Sequence, residues 1–200
     1  MKNMQKAIIF ILPIIIMSSI LVLFYINGIT RIDNYIVYNV TKNMSYSTIE
    51  AMKIITNSCS AIIFLLTILL VILTGKNKKI GIFFLLDLVI CYLLNTIIKN
   101  IVARQRPLDY MLIDESGYSF PSAHSMLAVA FYGYLAFIII KYIKNSSIKV
   151  TCLILTVFLT ILIGISRVCL GVHFPSDVVG GFLIGYLYII LYLHIVKKYI

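Results

Sequence analysis

Apolar residues in this chain come in long unbroken runs, and short polar stretches separate them. Runs long enough to cross a bilayer lie at about 7–28, 54–75, 80–98, 122–140, 149–166 and 178–196, set against the ~20 apolar residues that a spanning helix needs. Only helices and closed barrels satisfy their backbone groups in lipid. The runs show no alternation of polar and apolar positions, which argues against barrel strands. The pattern therefore predicts an all-α fold, a bundle of six transmembrane helices forming one domain over 1–200.

Two segments of that pattern have competing readings. The first run follows Lys2 and Lys6, as a secretory signal would, but its apolar core exceeds the ~7–15 residues of a signal and no small-residue cleavage site follows. It is expected to stay as an anchor. Between the first two runs, 29–53 reads as an interfacial loop rather than a lid. Tyr35, Tyr38 and Tyr46 suit the headgroup layer, and Ser47-Thr48-Ile49-Glu50 fits a capping box that starts the second helix near Thr48.

Composition agrees with the runs. The chain is 62% hydrophobic and only 12% charged, with mean hydropathy +1.05, whereas soluble domains are roughly 45–50% apolar and about 25% charged. Its net charge of +10 does not imply nucleic acid, because the cations sit at the ends of apolar runs and form no stripe with interleaved aromatics. A membrane and an anionic substrate account for them. Lys2, Lys6, Lys76, Lys78, Lys79, Lys141, Lys144, Lys149, Lys197 and Lys198 fall in one set of connecting segments, ten cations with no acid. The other set holds seven cations and six of the seven acids. The positive-inside rule then puts both termini in the cytoplasm.

Three polar clusters interrupt the pattern, all on the expected extracytoplasmic side. They are Lys99 to Arg106-Pro107, Pro121-Ser122-Ala123-His124, and Ser166-Arg167 through His173 to Asp177. Pro121 suits a first helical position, so the fourth helix is expected to start there and to offer free N–H groups and its dipole to an anion. The Ser122 hydroxyl would add a donor, and His124 would lie beside the anion. His173 and Asp177 are four apart, a spacing that shares a helical face and lets the carboxylate fix one imidazole nitrogen and leave the other bare, as a nucleophilic histidine requires. An interfacial histidine with a capping aspartate is the plainer alternative. Arg167 would bring a guanidinium fork suited to phosphate oxygens. Lys99 complements a helix C-terminus, and Arg106 follows in the loop. Arg104 reads as a solvated or headgroup-facing charge.

In order, these clusters read K-x6-R-P, P-S-x-H and S-R-x5-H-x3-D, which resembles the type 2 phosphatidic acid phosphatase (PAP2) superfamily. The resemblance implies a helical core shared with vanadium-dependent haloperoxidases. It implies His173 as a nucleophile that forms a phosphohistidine, Asp177 as its orienting partner, and His124 as general acid and base. Lys99, Arg106, Ser122, Ala123 through its N–H, and Arg167 would hold the phosphate. Ala123 departs from the glycine common in P-S-G-H; its methyl narrows the space near the phosphate. No metal or other cofactor is implied. The expected reaction is hydrolysis of a lipid phosphate or pyrophosphate at the outer face, the substrate being undecaprenyl pyrophosphate, phosphatidic acid, phosphatidylglycerol phosphate or a related lipid. A phosphotransferase with the same residues and a non-catalytic lipid binder or flippase are the alternatives.

Residues outside the clusters carry less. Asp87 lies within the third run, where a carboxylate is costly and faces the bundle interior; a structural role is expected. Among Cys59, Cys91, Cys152 and Cys169 there is no metal-ligand spacing, and no disulfide is expected. His194 reads as interfacial.

Overall fold

The computed structural model describes residues 28–75 and 77–200. The first apolar run lies outside them apart from Gly28, as do Lys2, Lys6 and Lys76. Every regular element among the described residues is helical: α1 (Gly28–Thr41), α2 (Tyr46–Asn57), α3 (Ala61–Thr74), α4 (Lys79–Val102), a 3₁₀ turn (Leu108–Tyr110), α5 (Ala123–Tyr142), α6 (Ser146–Cys169) and α7 (Pro175–Val196). Among the described residues, five stretches are long and apolar enough to cross a membrane: Tyr46–Thr74, which combines α2 and α3, and the helices α4, α5, α6 and α7.

The segment 29–53 departs from the expected loop. It holds α1 and the start of α2, and the cap of α2 is Ser45, whose Oγ accepts from the Thr48 N–H at 3.2 Å. Glu50 makes no capping box and instead pairs with Lys53 at 2.8 Å. Ser45 is extended, with ψ 154°, so the chain turns helical two residues earlier than the Ser47 motif suggested. The second run is likewise broken. Ser60 is extended (φ −83°, ψ 154°) and its side chain caps Ile63, so the polar stretch Asn57-Ser58-Cys59-Ser60 ends one helix and begins the next. Hydroxyl side chains compete with helical hydrogen bonds in this way.

Helix α5 is the centre of the bundle, packed against α4, α6 and α7; α2 packs on α6, and α3 on α4. A column of rings joins three of these helices. Phe64 stacks on Phe131 at 4.5 Å, Phe131 on Phe84 at 5.2 Å, and Phe84 on Tyr134 at 4.6 Å. The polar tips of the tyrosines are satisfied inside: the Tyr134 hydroxyl donates to the Ile80 carbonyl and that of Tyr192 to the Phe83 carbonyl. Buried hydroxyls need such partners. At the end nearest the polar clusters, Gly181 lets α7 approach the start of α5. A Cβ there would stand 2.7 Å from the Ser122 carbonyl oxygen.

Asp87 is fully buried, and neither carboxylate oxygen has a hydrogen-bond partner among the described residues. The Tyr188 hydroxyl donates to its backbone carbonyl instead. All four cysteines are free thiols.

Candidate active site

Four helix ends meet at one end of the bundle: the C-termini of α4 and α6 and the N-termini of α5 and α7. Helix α4 stops at Ala103, which takes the left-handed conformation at φ 50° and donates its N–H to the Lys99 carbonyl. The connection to α5 is then tied down by backbone bonds. Ser119 N–H donates to Arg104 O at 2.7 Å, Leu112 N–H to Leu170 O at 3.0 Å, and Ser122 N–H to Asp177 O at 3.0 Å. Gly171, at φ 70°, passes so close to this connection that a Cβ would lie 1.9 Å from the Tyr110 carbonyl oxygen. Only glycine fits that turn. It aims the next segment, 172–174, at the start of α5.

His173 precedes α7 instead of lying on it, so it does not share a helical face with Asp177 as the spacing suggested. Pro175 occupies the first helical position of α7 and Phe174 is its cap. Asp177, in the first turn, reaches back to accept the Phe174 N–H at 2.8 Å, and this capping geometry brings it to His173. Its Oδ2 is 3.6 Å from His173 Nδ1. Ser119 stands between them, with its Oγ 3.4 Å from Nδ1 and 2.5 Å from Oδ2. A carboxylate only accepts, so Ser119 donates to Asp177 and offers its lone pairs to the ring N–H. That assigns the proton to Nδ1. Nε2 then carries no proton and accepts from Arg106 Nη1 at 3.2 Å.

Arg106 is held by backbone carbonyls on all sides: Gly117 at 2.9 Å, Val172 at 2.8 Å and Ser116 at 2.9 Å. This fixes a buried cation beside His173. Both line a cavity of about 480 Å³ together with Lys99, Ala123, His124 and Glu115. Lys99 donates to the Tyr118 carbonyl, with Ser119 O at 3.4 Å. The first-turn N–H groups of Ala123 and His124 have no intrahelical acceptor, and both residues line the same cavity. No group of three or more His, Cys, Asp or Glu side chains among the described residues could hold a metal ion.

Three predicted residues sit differently from expectation. Ser122 is the cap of α5, and Pro121 precedes it, so the helix starts at Ala123. The Ser122 Oγ is turned inward to Ser125, whose hydroxyl is 2.9 Å away, and does not line the cavity. Arg167 is buried behind the cavity wall, where it donates to Glu115 and, at 3.2 Å, to the Thr56 hydroxyl. Arg104 is not solvated. It lies beneath the site and bonds Asp177 Oδ1 at 2.5 Å, Ser176 Oγ at 2.8 Å and Asp33 Oδ2 at 2.7 Å. A carboxylate buried at the start of α7 needs a cation, and Arg104 is placed by the same turn that ends α4.

The charges of the cavity follow from this packing. Burial presses the His173 pKa down to about 4, against the opposing pull of Asp177. Burial also lowers that of Arg106, with Glu115 opposing. For Glu115 burial acts upward, but the attraction of Arg167, Arg106 and His124 prevails and holds the carboxyl below its usual range. At neutral pH the site thus presents a neutral imidazole, fixed guanidinium groups, and one carboxylate standing in front of Arg167. Such a constellation can attack, and hold, a tetrahedral oxyanion.

This fold and cluster define a multi-pass membrane protein with a cavity lined by cations and histidines at one end of a helical bundle. A model of the PAP2 superfamily matches residues 80–200, and the chain belongs to that family. It is similar to phosphatidylglycerophosphatase B of Bacillus subtilis, 44% identical over 96 residues, which are 48% of this chain and 47% of that protein. It is also similar to an undecaprenyl-diphosphatase of Sulfolobus acidocaldarius, 29% identical over 122 residues, 58% of this chain and 55% of that one. The chain spans about half the length of these curated relatives. A crystal structure of a transmembrane PAP2 type phosphatidylglycerolphosphate phosphatase from Bacillus subtilis superposes with a TM-score of 0.83 at 31% identity, covering 95% of this chain and 94% of that one. LpxE of Aquifex aeolicus shares the fold, with a TM-score of 0.65 at 20% identity over 82% of this chain and 95% of that one.

Proposed function

We propose that this chain, as a single PAP2-type domain, hydrolyses a lipid phosphate or pyrophosphate through a phosphohistidine. The observation that carries the reading is the unprotonated Nε2 of His173, turned to the Arg106 guanidinium while Ser119 and Asp177 fix the other nitrogen. His173 Nε2 attacks the terminal phosphorus, and its bond to the leaving oxygen, the ester oxygen of a monophosphate or the bridging oxygen of a pyrophosphate, breaks as His124 gives that oxygen a proton. Water then loses a proton to His124 and attacks the phosphohistidine, releasing phosphate and freeing His173. Lys99, Arg106 and the α5 N-terminus stabilise the charge on the equatorial oxygens. Phosphate displaces the Glu115 carboxylate from Arg167, which then turns its fork to the new anion. Ser122 acts by capping α5, and thereby keeps those N–H groups in place. Both named relatives act on lipid-linked phosphate, one a phosphatidylglycerophosphatase and the other an undecaprenyl-diphosphatase.

Purified protein in micelles, given a panel of these lipid phosphates, should release inorganic phosphate at a rate that EDTA leaves unchanged. Vanadate, which mimics the pentacoordinate phosphoryl group, should inhibit competitively. Indifference to vanadate, or a strict requirement for added Mg²⁺, would defeat the mechanism.

The cavity is proposed to open on the extracytoplasmic face. The described cations Lys78, Lys79, Lys141, Lys144, Lys149, Lys197 and Lys198 gather at the opposite end of the bundle, which the positive-inside rule assigns to the cytoplasm. In a background without native thiols, a Ser116→Cys protein should react with an impermeant thiol reagent on intact cells, and a Lys78→Cys protein should not. The reverse pattern inverts the topology.

A third expectation concerns pH. His173 attacks only when neutral, and burial holds its pKa at about 4. It should therefore stay neutral as pH falls past 6.5, where an ordinary histidine begins to charge, and gain its proton only near pH 4. A histidine-labelled NMR titration, assigned with the His173→Ala protein, reads this without substrate. A midpoint near 6.5 would contradict it.

A further inference from the structure

Arg104 and Asp33 stand on the side of Asp177 that faces away from the cavity. Asp177 divides its two oxygens between tasks: Oδ2 serves Ser119 and the Phe174 N–H, while Oδ1 accepts from Arg104 Nη1 at 2.5 Å. The Arg104 guanidinium lies 4.2 Å over the ring of Phe174, the residue next to His173. Its other nitrogen reaches Asp33 Oδ2 at 2.7 Å. Asp33 in turn accepts the Ser176 N–H at 3.1 Å and the Ser176 hydroxyl. One guanidinium and one carboxylate thus hold the first turn of α7 from below.

Asp33 comes from α1, outside the residues that the family model matches. Asp33, Val37 and Thr41 form a buried stripe at four-residue spacing, whereas Ile32, Tyr35 and Tyr38 on the other side are exposed. A buried carboxylate on so short a helix is costly unless paired. Its partners are the cation and the N–H that orient Asp177. Packing alone would be served better by an apolar residue in that stripe.

We propose, on the phosphatase reading above, that Arg104 and Asp33 are positioning residues for the His173–Asp177 pair, and that α1 is a strap whose seating turnover requires. Arg104 fixes the rotamer of Asp177, Asp177 and Ser119 fix the ring of His173, and Asp33 fixes Arg104. None of the three contacts needs to touch the phosphate, so the effect falls on turnover and not on substrate capture.

The test uses the full chain in micelles, with Arg104→Gln, Arg104→Lys and Asp33→Asn, on a lipid phosphate that the wild type hydrolyses. Arg104→Gln and Asp33→Asn should each lower kcat roughly 10- to 100-fold, the range seen when the partner that orients a functional histidine is removed, while KM stays within about twofold. The His173 titration gives a readout that a merely structural role would not move. The charged groups around the ring are Asp177, Arg106, Arg167 and His124, with Arg104 behind Asp177. Loss of the Arg104 cation leaves the Asp177 charge less compensated, so the His173 midpoint should rise. Arg104→Lys should restore the midpoint and only part of kcat, because a point cation lacks the fork. If Arg104→Gln does not fold, Asp33→Asn, which keeps the side-chain shape and removes a negative charge from behind Arg104, decides by the same loss of kcat and by a His173 midpoint that falls instead of rising. A kcat within about twofold of wild type, or a loss of rate that follows the folded fraction with the His173 midpoint unmoved, overturns this inference alone. A wild type inactive on every lipid phosphate overturns the phosphatase reading and this inference with it.

Discussion

Replacing His173 by alanine should abolish phosphate release, lowering the rate on the order of 10⁴-fold or more, as removal of a nucleophile does elsewhere. The ring is buried, its Nδ1 is occupied by Ser119, and its Nε2 is presented beside a cation that is itself pinned by three carbonyls. Among the described residues the histidine that shares this cavity, His124, approaches from α5, on another wall. Because His173 is packed at 1% exposure, the truncation also leaves a void, which costs stability. His173→Gln keeps bulk and separates the two effects. Both proteins should insert and remain monodisperse in micelles, and neither should retain acid-labile label from a substrate carrying radioactive phosphate. Retention of more than about 1% of the wild-type rate by the glutamine protein would sink the phosphohistidine step, since a side chain without a nucleophilic nitrogen cannot form it.

Much of this was legible in the chain, and the reason is physical. A lipid environment forbids irregular backbone, so apolar runs translate almost directly into helices α4 to α7. Polar residues at the run ends then had to cluster, and the structure gathers Lys99, Arg106, Ala123, His124 and His173 around one cavity. Capping was read less well. Pro121 and Ser47 both carry genuine start signals, but Ser122 and Ser45 supply the cap oxygens, because a residue with extended backbone must come just before the first turn. Spacing also misled at His173 and Asp177. Their separation of four is meaningful through the reach-back of a first-turn carboxylate, not through a shared helical face. The sequence does not single out Ser119, Glu115 and Asp33, because they lie in the connection before α5 or in a segment expected to be a loop, and it singles out Arg104 only as a solvated or headgroup-facing charge. Arg104 had one usable signal. It is a charge two residues from Arg106 in a segment with buried acids nearby, and seven cations faced six acids on that side of the membrane.

Exchanging Asp177 for asparagine should slow turnover by about 10³- to 10⁴-fold, the loss that follows when the carboxylate orienting a catalytic imidazole becomes an amide. The reason here is a count of donors. Oδ2 accepts from Ser119 and from the Phe174 N–H, and Oδ1 accepts from Arg104. An amide has one oxygen and one NH₂, so whichever way it is turned a donor meets a donor. With the NH₂ toward Ser119, the hydroxyl must reverse, and His173 Nδ1 then faces a donor and takes the wrong tautomer. With the NH₂ toward Arg104, the guanidinium loses its bond to residue 177 and keeps Asp33 and Ser176. The first orientation loses the chemistry and also sets the NH₂ against the Phe174 N–H, which weakens the cap of α7; the second keeps the Ser119 and Phe174 bonds but frees the side chain from Arg104 and so loosens the aim of the ring. Arg104 keeps Asp33 in either case, so no cation is left wholly unpaired and the protein should still fold. Steady-state rates with His173 ring NMR distinguish the outcomes. A rate within about tenfold of wild type, with the ring proton still on Nδ1, would mean that Ser119 alone fixes the tautomer and that the carboxylate serves the cap of α7 and nothing further.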